Sequence, residues 1–211
     1  MDEETTLIDS NTRNEKIRNF FINNKKKLIT IFSIIIITLL GCLLLVEIKA
    51  INKVKLANKF NSAVTEIKKE KTIADLINII NKKDATYSPL ALYYLIDNNL
   101  SENKNEINNL FDLLINEANL EKEIKNLLIY KKALYNANLI DENELIEMLS
   151  SIINSESIWK SHALYLIAEY FYSKNEKTKA KEFFNQILLS PSSNQNIRLE
   201  SQKRINRDLS E

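Results

Sequence analysis

The two adjacent side chains best equipped for chemistry are Ser161 and His162, a hydroxyl beside the only imidazole in the chain. Nucleophilic catalysis needs such a pair to face one another within hydrogen-bond reach. Successive residues of a helix point in different directions, and the apolar spacing around this pair is helical, so the two do not act as nucleophile and base. Little else is on offer. One His and one Cys cannot assemble a His/Cys metal site, no His-Glu-x-x-His occurs, and a single Gly cannot build a phosphate-cradling loop. Glu142 and Glu144 are near enough to suggest paired carboxylates, but helix capping and solvation explain them better. The expectation is a protein without catalytic residues, metal or cofactor, and not an enzyme.

Leu39-Leu40-Gly41-Cys42 raises a different chemistry, because it has the pattern at which lipoprotein signals are processed. Against that reading, the chain stays apolar after Cys42, no Lys or Arg occurs in its first seven residues, and Cys42 lies late for such a signal. From Leu28 to Val46 there are 19 consecutive residues without a charge. As a helix they reach about 28 Å, the thickness of one bilayer core. A cleaved secretory signal has a shorter apolar core and a small-x-small site; Glu47-Ile48-Lys49-Ala50 offers none. The sequence therefore favours an uncleaved membrane anchor, with lipoprotein processing at Cys42 as the alternative.

Six Lys or Arg flank the span on its N-terminal side (Arg13, Lys16, Arg18, Lys25, Lys26, Lys27) and four on its C-terminal side (Lys49, Lys53, Lys55, Lys59). By the positive-inside rule residues 1–27 form a cytoplasmic tail and residues 47–211 lie across the membrane. For a bacterial inner membrane, the setting suggested by the Ile, Lys and Asn-heavy composition, that is the periplasm. The tail holds six basic and five acidic residues, so the totals of 29 and 28 leave 23 of each beyond it. A domain of balanced charge is a poor match for nucleic acid. The acidic start of the tail (Asp2, Glu3, Glu4, Asp9) lacks the polybasic character of a lipid-binding arm, and the tail reads as a flexible polar segment.

One Gly and two Pro make hairpin turns nearly impossible and leave helices joined by Asn, Ser and Lys loops, so the fold class is all-α. With its one Cys in the span, the domain from 47 to 211 is held by packing alone. Ala50, Val54, Ala57, Phe60, Val64 and Ile67 mark an amphipathic stalk. Thr72 is placed to cap a second helix with Ile73, Leu76, Ile77 and Ile80 inward, and Ser88-Pro89 to open a third with Leu92, Leu95 and Ile96 inward. Helices follow at 103–117 (Ile107, Leu110, Phe111, Leu114) and 120–137 (Ile124, Leu127, Leu128, Leu134). Asp141 and Glu144 have capping-box spacing ahead of Leu145, Leu149 and Ile152, and three more helices span 157–173, 176–189 and 195–209.

Alternate helices begin near 54, 88, 122 and 157, a period of about 35 residues that points to tetratricopeptide-type helix pairs in a right-handed array. The unit from 161 to 193 resembles a tetratricopeptide repeat. Leu164, Ile167, Ala168 and Phe171 take the large, large, small and aromatic positions of its first helix, Ala180 and Phe184 the small and aromatic positions of its second, and Pro191 closes it. Leu164 stands where Trp is usual, and the Pro comes one residue early. Ile158-Trp159-Lys160 opens this unit, with Trp159 expected in the core between repeats, and an Arg-rich helix, IRLESQKRINRDL, ends the chain. Tail, span, stalk, degenerate repeats and closing helix together resemble the YfgM-like proteins, ancillary subunits of the Sec translocon. That resemblance implies a single-span inner-membrane protein whose periplasmic repeats associate with the Sec channel and with periplasmic chaperones.

In a repeat so phased, His162, Tyr165, Glu169 and Tyr172 line the concave surface and are the candidate partner-binding residues. An alternative packs Tyr165 and Tyr172 against the neighbouring repeat. The expected partner is a protein, with the membrane engaged through Leu28 to Val46, and no nucleic acid or small-molecule substrate. Two functions fit: a membrane-anchored interaction scaffold near the export channel or the chaperone network, or a self-associating structural component of an envelope assembly unrelated to export.

Overall fold

The computed structural model describes the backbone of residues 2–209 and the side chains of residues 13–209; the acidic side chains Asp2, Glu3, Glu4 and Asp9, and residues 210–211 of the expected C-terminal domain, lie outside the described residues. The described residues form helices and no strand: α1 (Asp2–Thr65), α2 (Lys69–Ile80), α3 (Tyr87–Asp97), α4 (Lys104–Glu117), α5 (Lys122–Asn136), α6 (Glu142–Ile153), α7 (Lys160–Ser173), α8 (Lys177–Leu189) and α9 (Gln195–Asp208). They divide into two compact units, one ending at Lys55 and one running from Leu56 to Glu211.

In the first unit the apolar stretch is part of α1, and α1 is long and apolar enough to cross a membrane. Its Ile and Leu side chains face outward all round, as lipid contact requires. Both threonine hydroxyls within it fold back onto the helix: Thr30 Oγ1 donates to the Lys26 carbonyl at 3.0 Å, and Thr38 Oγ1 to those of Ile34 at 3.0 Å and Ile35 at 2.8 Å. Groups satisfied within the helix cost little in hydrocarbon. The tail, expected as a flexible segment, is helical from Asp2 onward.

Packing starts at Leu56 and not at Glu47. Ala50 and Val54 are exposed, whereas Leu56, Phe60, Ala63 and Val64 pack onto α2 and α3. Ile67, expected to face inward, is 97% exposed because α1 ends two residues before it. One core cluster gathers Ala63, Leu76, Ile79, Leu92, Phe111 and Leu114 with their neighbours; a second gathers Leu145, Leu149, Leu164, Ile167, Phe171, Phe184 and theirs. α5 contributes Leu128 to the first and Ala133 to the second.

Two expected caps are not caps. Thr72 lies inside α2, its hydroxyl donating to the Lys68 carbonyl at 3.2 Å. Ser88 is fully buried in the first turn of α3; it accepts from the Asp84 amide at 2.9 Å and donates to the Ile79 carbonyl at 2.8 Å, tying α2 to α3. Asp84 does the capping, its carboxylate accepting from the amides of Thr86 and Tyr87 at 2.9 and 2.8 Å. Pro89 stays within the first turn, where its missing N–H is harmless. The capping box at Asp141 and Glu144 forms as expected, with hydrogen bonds of 2.9 and 3.2 Å.

The helix starts follow a regular step. α2, α4, α6 and α8 begin at residues 69, 104, 142 and 177, and α3, α5, α7 and α9 at 87, 122, 160 and 195; both series advance by 35, 38 and 35. Two turns are alike in detail. Asn99 and Asn175 both take positive φ (48° and 62°), and the next amides, Leu100 and Glu176, each reach back 2.9 Å to the fifth preceding carbonyl in a Schellman closure.

Candidate functional site

The four expected contact residues share one stripe of α7, and the structure places all four half-buried. The His162 ring packs against Trp159 (centroids 5.2 Å apart) and Tyr130 of α5 (6.0 Å), and its Nδ1 is buried without a hydrogen-bond partner. Burial pushes its pKa below the usual histidine value. Tyr165 meets Phe184 of α8 edge to face at 5.4 Å. Burial, reinforced by the Glu169 carboxylate, pushes its phenol up to about 12.

Glu169 and Tyr172 are occupied by the chain itself. Arg204 of α9 grips the Glu169 carboxylate with two donors, Nε at 2.6 Å from Oε1, and its guanidinium lies 4.2 Å from the centre of the Tyr172 ring. Asp208 accepts a further bond from Arg204 at 2.5 Å and from Arg207 at 2.8 Å; these donors hold its carboxyl down at about 2. At these two positions the expected contact stripe is shared with α9. The closing helix packs on α7 as well as α8, and its arginine satisfies the face that a partner was expected to use.

Trp159 sits at the joint between α5 and α7, as expected of a residue between units. Its Nε1 donates to the Glu123 carbonyl at 3.1 Å, and its ring stacks on Tyr130 with centroids 6.1 Å apart. Below it the Glu123 carboxylate accepts from Ser157 Oγ at 2.7 Å and the Ile158 amide at 3.2 Å, while Asn126 donates to Ser157 at 3.0 Å. These hydrogen bonds tie the loop before α7 to the first turn of α5.

Sequence reasoning missed a second surface. Between α3 and α5 lies a groove of about 410 Å³ lined by Pro89, Leu90, Tyr93, Glu121, Ile124 and Leu127. Leu90 is 43% and Ile124 38% exposed. Ile124 and Leu134, both counted as inward-facing, are in fact on the outside of α5. The signal was present in α5 itself: apolar residues at 124, 127, 128, 129 and 134 are more than one buried face requires. The Tyr93 hydroxyl is buried without a partner, and burial with Asp97 nearby raises its pKa. The Nζ of Lys131 lies 4.8 Å from the centre of the Tyr93 ring and 4.0 Å from Asp97.

Among the described residues no group of three or more His, Cys, Asp or Glu is placed to hold a metal. A scan against protein-family models and searches of curated proteins and of solved structures each find no match to this chain.

Proposed function

We propose that this chain is a membrane-anchored scaffold whose tetratricopeptide-like right-handed repeat domain holds protein partners beside the membrane, in the manner of the YfgM-like accessory factors of the Sec translocon and periplasmic chaperone network. The observation that carries the repeat reading is the shared 35, 38, 35 step of both helix series, together with the matched turns at Asn99 and Asn175. The motif positions Leu164, Ile167, Ala168, Phe171, Ala180 and Phe184 are all buried, as that reading demands. The anchor is α1 through Leu28–Val46, with the N-terminus cytoplasmic on the count of flanking Lys and Arg. Anchoring makes a weak partner effective by raising its local concentration.

In-cell photocross-linking tests the reading, with a reactive amino acid at position 165 or 124 and a control at position 54, followed by mass spectrometry. Adducts to the Sec channel or a periplasmic chaperone are the expected result. Adducts only to the chain itself, or to unrelated envelope proteins, remove the export reading and favour the self-associating structural role.

A further inference from the structure

We propose that the N-terminal boundary of the span is a binding site for anionic phospholipid, in which Lys25, Lys26 and Lys27 hold headgroup phosphates and an acyl chain lies along α1. The proposal rests on the anchor of the reading above and adds the chemistry of the lipid around it. Lys25–Lys27 stand within about 5 Å of the hydrocarbon core that begins at Leu28, at the depth of the headgroups. Arg18 and Lys16 continue the positive charge outward, about 15 and about 18 Å from that core and so about a Debye length from the headgroup layer. All five side chains are exposed and, among the described residues, none forms an ion pair. No Asp or Glu occurs from Lys16 to Val46, so the chain supplies no local anion for them.

Geometry favours a lipid over other anions. Lys25 is the one charged side chain lining a groove of about 680 Å³ on α1, whose other walls include Phe21, Ile22, Leu28, Phe32 and Ile35. The groove runs from the basic segment into the span, so an ammonium and an apolar track share one face of one helix. Arg18 lies two turns before Lys25 on that face. A phospholipid matches both parts, whereas an acidic peptide or a nucleic acid matches only the charge. The opposite boundary lacks the pattern, because Glu47 directly follows the span ahead of Lys49. The positive-inside rule accounts for the number of cations and not for the groove beside Lys25.

The test uses the full chain in phosphatidylcholine vesicles with spin-labelled phosphatidylglycerol or phosphatidylcholine, and electron paramagnetic resonance reads the fraction of each held at the protein. Phosphatidylglycerol associates about threefold or more strongly than phosphatidylcholine. Lys25→Gln with Lys26→Gln and Lys27→Gln removes that preference, Lys16→Gln with Arg18→Gln lowers it by less, and Lys49→Gln leaves it unchanged. An excess of hexaglutamate peptide does not displace the lipid; displacement assigns the cations to an acidic protein segment. Equal association of the two lipids, a preference that survives the triple Gln variant, an equal loss in Lys49→Gln, or displacement by hexaglutamate overturns the proposal. Extraction with alkaline carbonate judges the anchor separately. A chain stripped from the vesicles has no span, and the proposal falls with it; a chain that stays but prefers neither lipid keeps its anchor, and its basic residues then act in orientation only.

Discussion

The α7–α9 end and the α3–α5 region are built from similar helices but finished differently. At the C-terminal end small residues let helices close up. Ala168 on α7 and Ala180 on α8 are fully buried, α7 and α8 pack more extensively than any other pair, and α9 covers their exposed edge. At the α3–α5 junction nothing plays the part of α9. Leu90 and Ile124 remain in solvent, and the tyrosine hydroxyl behind them is left unpaired. The contrast teaches that a capping helix does two jobs, completing the core and using up the surface that would otherwise be free to bind.

The comparison breaks most readily at the two large aromatics. Phe184→Ala and Phe111→Ala, one in each core cluster, should each cost about 3–5 kcal/mol in denaturant unfolding. A single transition in both variants makes the clusters one cooperative unit; two transitions in either show that they unfold separately. Ala180→Leu should cost about 1–3 kcal/mol by overpacking the close crossing. The exposed Leu90→Ala should stay within about 0.5 kcal/mol, and equal effects at the two sites would erase the contrast.

Arg204→Ala should cost about 1 kcal/mol, since the ion pair it breaks is only partly shielded from water. Its sharper readout is exposure: photocross-linking from position 172 should rise, because the ring loses its guanidinium cover. No change there would mean that α9 does not guard this face. The smallest effect concerns His162. Its pKa is depressed in the fold, so the unfolded chain takes up the proton first. Stability is fully present above the ordinary histidine value near 6.5 and declines as pH falls below it. His162→Gln should flatten that decline between pH 7 and pH 5, measured by thermal unfolding.

The helical fold was legible because scarcity of Gly and Pro, capping residues and apolar spacing all bear on local structure. Asp141 and Glu144 formed their box, and the helices from α4 onward begin within three residues of expectation. Some misses were local, at Ile67, Thr72 and Ser88, and others depended on partners far along the chain. Asn126 and Asn136 are buried on α5, and Ser157 and Asn108 lie across from them, 31 and 28 residues distant. The pairing of Glu169 with Arg204 likewise spans 35 residues. A sequence pattern reports which residues share a face, and it does not report what another helix brings to that face.

The extra three residues in the middle step have a practical meaning for anyone labelling this molecule. From each even-numbered helix to the next odd one the interval is 18 residues throughout (69 to 87, 104 to 122, 142 to 160, 177 to 195). From odd to even it is 17, 20 and 17, so the surplus falls wholly between the starts of α5 and α6. Helix α5, 15 residues long against 11 for α3 and 14 for α7, has taken up added length without disturbing the spacing on either side, and the connection after it carries the exposed Leu139 side chain. A short epitope or fluorophore-bearing insert has its natural berth there, remote in sequence from both Glu121 and Arg204.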